Sequence, residues 1–149
     1  MYLGVLVKFI LFKRVSDLMF VDTSLHSLLF RLQHHANFTP FKTIGYYMFG
    51  HANTIISVAN VAGNILLFIP LGFFVPLLRH RSTSAGRVGA LAFGTSLLLE
   101  LIQLLTGLGG FDVDDLILNV LGGLIGWLAF NVRQRSRPTG RVKRANGNP

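Results

Sequence analysis

Three runs of this chain, 52–78, 88–111 and 116–132, are long and apolar enough to cross a bilayer, yet each keeps polar residues inside it. Asn60 and Asn64 interrupt the first run, Glu100 the second and Asn119 the third. Water does not reach the hydrocarbon core, so each polar group there costs free energy unless it finds a partner. Hydrophobic residues make up 51% of the chain and charged residues 13%, with a mean hydropathy of +0.54. That is too apolar for an ordinary soluble domain. The expected fold class is all-α: a small polytopic transmembrane helix bundle, with three clear spans and a partial N-terminal one.

A span needs about 20 mostly apolar residues. Residues 55–78 and 88–106 meet this, the second despite Glu100. Residues 116–132 reach roughly 25 Å at about 1.5 Å per residue, enough for an untilted crossing. Residues 1–12 are apolar but short and carry Lys8, and no signal-peptide pattern is present. They read as part of a first span, or else as a segment lying in the interface. The organisation expected is a partial span over 1–12, an interfacial amphipathic segment and outer loop over 13–54, a transmembrane core over 55–132, and a basic cytoplasmic tail over 133–149, disordered. Within the second segment, Leu18, Val21, Leu25, Leu28, Leu29 and Leu32 recur at helical spacing over 16–33. That pattern suits a surface-lying helix or a short core helix equally. Tyr46, Tyr47, Phe49 and Trp127 sit where interfacial aromatics would.

Charge sets the expected orientation. The formal net charge is +8, and six of the 14 Lys and Arg lie in the last 17 residues. After a membrane span, such a tail reads as a topology signal touching anionic lipid rather than as a nucleic-acid site. The 79–87 loop holds Arg79, Arg81 and Arg87, whereas 107–115 holds three Asp and no basic residue. The positive-inside rule puts 79–87 and the tail in the cytoplasm and 107–115 outside. Lys13, Arg14, Arg31 and Lys42 run against this scheme. There is no cysteine, hence no disulfide.

Depth brings the polar residues together. With the outer boundary near residues 55, 107 and 114, Asn60, Asn64, Glu100, Gln103 and Asn119 fall roughly 6–14 Å below the surface. Asn60/Asn64, Glu100/Gln103 and Asp115/Asn119 each share a helix face. These residues, with Asp112 and Asp114, form one candidate polar pocket opening outward. Asn residues within spans also simply join helices, and an Asp before a helix caps it. An acid in mid-span such as Glu100 is a functional candidate by default. Pro70 should kink its span, and Gly122 and Gly126 form a GxxxG of the kind that brings helices close. No phosphate loop, nucleophile elbow or HExxH occurs, and neither a metal site nor a cofactor is expected.

Residues 60–75 (NVAGNILLFIPLGFFV), 100–103 (ELIQ) and 111–126 (FDVDDLILNVLGGLIG) together resemble the VanZ-like family of bacterial membrane proteins. The stretch 37–44 (NFTPFKTI) is similar to the family's Asn-x-x-Pro-Phe element. The resemblance marks Asn37, Pro40, Phe41, Asn60, Asn64, Phe68, Pro70, Gly72, Glu100, Gln103, Asp112, Asp115, Asn119, Gly122 and Gly126. Many members carry an Arg shortly before the Phe-Asp element, where this chain has Gly109 and Gly110. The family takes its name from a protein linked to resistance to the glycopeptide teicoplanin, and its biochemical activity is not established. Beside the resemblance, the pocket reads as a binding or accessory module at the envelope, in membrane lipid, holding an envelope lipid headgroup, a glycopeptide lipid tail or a partner helix, with no nucleic acid. The alternative is an intramembrane enzyme on a lipid-linked envelope substrate, using Glu100 with Asp114 or Asp115 as acid and base. The absence of an evident nucleophile favours the binding role.

Overall fold

The computed structural model describes residues 24–49, 54–79 and 83–136. These form five helices: α1 (Leu25–His34), α2 (Lys42–Phe49), α3 (Thr54–Arg79), α4 (Ala85–Thr106) and α5 (Val113–Arg135). The expected partial span over 1–12 and the tail beyond residue 136 lie outside the described residues. The all-helical bundle is as expected, and α3 (from Ser57), α4 and α5 are each long and apolar enough to cross a membrane.

The ends of the spans follow local chemistry. Ser84 caps α4 by accepting from the backbone N–H of Arg87 (3.4 Å). This starts the helix at Ala85, ahead of the apolar run that begins at Val88. Asp112 caps α5 by accepting from the N–H of Asp114 (2.9 Å), so that helix begins at Val113 rather than 116. It runs on to Arg135, where Arg133 and Arg135 complement the negative end of the helix dipole. Pro70 and Pro76 both lie inside α3, which continues through them.

α5 packs most extensively on α3 and less on α4, while α3 and α4 meet only sparingly. Glycine makes the α3–α5 approach close. A Cβ at Gly122 would overlap the carbonyl oxygen of Ile65, one at Gly126 that of Ile69, and one at Gly72 that of Gly123. Gly72 faces the GxxxG from the opposite helix. On α4 the buried residues Val88, Ala92, Ser96, Leu99 and Gln103 recur every three or four positions, with Glu100 and Leu104 beside the last two, and form its inner stripe. Phe68, Leu71, Ala92 and Leu99 make the apolar core. Outside, Ile55, Leu66, Leu78, Leu98 and Leu128 are exposed, as a lipid-facing surface requires.

The two ends of the bundle differ in charge. Arg79, Arg87, Arg133 and Arg135 occupy the end shared by the start of α4 and the ends of α3 and α5. Glu100, Asp112, Asp114 and Asp115 are the acids of the described residues, and all lie toward the other end. There α1 and α2 cover the bundle, so the 13–54 segment expected as a surface helix and loop holds two described helices. At the basic end the indole N–H of Trp127 donates to the carbonyl of Thr83 (2.7 Å). This ties α5 to the α3–α4 connection and gives the ring a polar partner at its wet edge.

Candidate functional site

At the acidic end, the segment between α1 and α2 meets the start of α5. The backbone N–H of Asn37 donates to the carbonyl of Phe111 (2.7 Å), and that of Val113 donates to the carbonyl of Asn37 (3.1 Å). This is a single parallel bridge across 75 residues of sequence. The Asn37 amide also donates to Asp112 Oδ1 (3.0 Å), and the Thr43 hydroxyl donates to Asp112 Oδ2 (2.7 Å).

The three neighbouring Asp residues have three different partners. Asp112 caps its own helix. Asp114, fully buried, reaches across to α2 and accepts from the N–H groups of Phe41 (2.5 Å), Thr43 (2.7 Å) and Ile44 (3.0 Å). Phe41, at the start of α2, has no side-chain acceptor to cap the helix, and it adopts a left-handed backbone (φ 64°). The carboxylate on α5 supplies the missing cap from another part of the chain. Asp115, half-buried, accepts from the amide of Asn64 and thereby joins α5 to α3.

Glu100 is 3% exposed, and its Oε2 accepts from the N–H of Asp112 (2.9 Å). The carboxylate of α4 thus satisfies the entry residue of α5, as the reaching acid of a capping box does within one helix. Gln103, buried, packs against Gly109, whose N–H donates to the Gln103 carbonyl (3.4 Å). One turn deeper, Asn119 is 4% exposed, and its amide N–H donates to Ser96 Oγ (2.8 Å), between α5 and α4. Asn60 stands apart from these residues and donates to the Tyr47 hydroxyl of α2 (3.0 Å).

Glycines also set the loop. A Cβ at Gly110 would overlap the carbonyl oxygen of His35, so the end of α1 sits directly on this residue. Gly107 ends α4 in a left-handed conformation (φ 74°), and a Cβ there would run into the guanidinium of Arg31. The loop itself carries no basic residue, but Arg31 of α1 brings a guanidinium to it. Asn37, Thr43, Ser96, Tyr47 and Arg31 complete the network around the expected residues. Among the described residues, no three His, Asp or Glu side chains are grouped to hold a metal ion.

A helical bundle with three span-length helices, acids toward one end and arginines at the other, defines a small polytopic membrane protein. Its sequence matches the VanZ/LLP1 family over residues 1–134, and the chain belongs to that family. A relative from Enterococcus faecium, named Protein VanZ, is 29% identical over 128 residues, covering 85% of this chain. The chain spans 66% of that relative's length. No solved structure matches the chain.

Proposed function

We propose that this protein is a binding or accessory component of the cell envelope, with a polar site at the acidic end of the bundle facing outward. The site takes the headgroup of an envelope lipid or a polar group of a glycopeptide, and it contributes to the teicoplanin resistance that the family resemblance implies. One observation carries this reading. Polar residues of three apolar helices meet at similar depth, through Asn64 with Asp115 and Asn119 with Ser96.

Asp112 and Asp114 each accept from three donors that bind the α1–α2 segment or α5 itself. Their role is to hold the cover. Glu100 and Asp115 are left as the acids of the site, with Asn64, Asn119 and Gln103 beside them. The enzymatic alternative draws on Glu100 being buried while Asp115 is half-buried, a difference suited to an acid and a base. Glu100→Gln separates the two readings, since an amide can hold a ligand but cannot transfer a proton.

The test is teicoplanin and vancomycin susceptibility in a Gram-positive host lacking this gene. The host receives wild type, Glu100→Gln or Asp115→Asn at equal membrane abundance. Selective protection against teicoplanin by wild type, lost in Asp115→Asn, is the expected result. No protection by wild type removes the resistance reading.

A further inference from the structure

The carbonyl oxygen of Asn119 is buried and has no hydrogen-bond partner among the described residues. An orphaned acceptor in an apolar bundle pays its desolvation without return, so it calls for a donor. Its surroundings say which kind. Asn119 lies one turn below Asp115 on α5, and its bonded partner Ser96 lies one turn below Glu100 on α4. The two helices therefore present carboxylate, carboxylate and amide carbonyl around one seam, an acceptor-rich and electronegative lining. Below it the lining ends: Phe68, Leu71 and Ala92 belong to the apolar core, and Gly122 closes α5 onto Ile65. The polar seam therefore does not continue through the bundle.

A phosphate or carboxylate group would be repelled by this lining. A quaternary ammonium matches the charge but has no N–H for the Asn119 oxygen. A protonated primary amine supplies both a positive charge and three N–H donors, the inventory of a lysine head. Resting on the proposed envelope role, we propose that the Asp115–Asn119 face of α5, with Glu100 of α4 opposite, takes the protonated primary amine of an envelope molecule. The amine comes from a lipid headgroup or from a free amine-bearing compound. Carboxylates accept several bonds at once, so Asp115 keeps Asn64 and Glu100 keeps the Asp112 N–H while the amine is held.

The probe is phosphatidylethanolamine against phosphatidylcholine, two lipids whose headgroups differ only in the methylation of the ammonium. The full-length protein is released from mixed-lipid nanodiscs, and retained lipid is counted by native mass spectrometry. Wild type is expected to retain phosphatidylethanolamine at least about five-fold over phosphatidylcholine. Asn119→Ala is expected to bring that ratio near one, while Ser96→Ala keeps it. Both substitutions remove the same inter-helix hydrogen bond, but only the first removes the carbonyl. Free ethanolamine at millimolar concentration distinguishes the sources. Displacement of the lipid means that the amine alone is recognised, whereas its persistence confines the site to lipid, and both outcomes support an amine site. Equal retention of the two lipids by wild type overturns the inference even where Asn119→Ala fails to fold, as does equal loss of preference in Asn119→Ala and Ser96→Ala. Should wild type show no amine preference while Asp115→Asn still abolishes protection, the amine falls and the polar site stands.

Discussion

Asp114 shows how far a residue's task can lie from its local sequence. Seen from its own helix it is a first-turn acid, a position where a carboxylate favours the dipole. In the fold it caps α2, some 70 residues away along the chain. Asp114→Asn keeps the shape, removes the charge and leaves an acceptor too few for three N–H groups. The expected loss is roughly 2–4 kcal/mol, since bonds to an ionised group are the strong ones and the orphaned donors stay buried. Thermal unfolding in one detergent would show it as a clear drop in Tm. Asn60→Ala, which removes a single neutral bond to Tyr47, should cost only about 0.6 kcal/mol, the usual worth of such a bond between membrane helices. Equal losses in the two variants would mean that Asp114 is no more than another polar tie. The sequence places Asp114 in the acidic group but does not show this task, because its partners are backbone N–H groups that no residue letter marks.

Elements were legible to the degree that their cause is local. The three long helices follow from hydropathy, and their ends differ from the apolar runs by a few residues because Ser84 and Asp112 cap them with side chains. α2 was not legible: it has eight residues, and its cap comes from another helix. The pairing of α3 with α5 is half legible, since the GxxxG is visible and the resemblance marks Gly72, but that they face each other is known only from the contact. That contact makes a sharp prediction. Gly72→Ala, Gly122→Ala and Gly126→Ala each drive a methyl group into a backbone carbonyl, so the helices must separate, at a cost of about 1–3 kcal/mol. Gly94→Ala meets nothing within 4 Å and should be neutral, or slightly stabilising through helix propensity. Detergent-solubilised yield and Tm should separate the three from the fourth. A Gly94→Ala as damaging as Gly122→Ala would show that these helices do not pack through glycine.

For the whole molecule the open quantity is direction. Four described arginines lie at one end of the bundle and four carboxylates toward the other, where Arg31 and Lys42 also lie. Positive charge near the span ends biases the basic end toward the cytoplasm, while acids contribute little to that choice. The expected arrangement thus turns the Glu100–Asp115 site outward, to where envelope lipids and glycopeptides are met. The chain has no cysteine, so one introduced thiol reports its own position without background. Thr39, exposed between α1 and α2, and Gly86, with open space at its Cβ, are suitable points at the two ends. In intact cells a membrane-impermeant maleimide should modify Thr39→Cys, and it should reach Gly86→Cys only after the membrane is opened. The reverse pattern would turn the site toward the cytoplasm. An extracellular glycopeptide could then not reach it, whereas an amine headgroup of the inner leaflet still could, so this labelling separates the resistance proposal from the amine site.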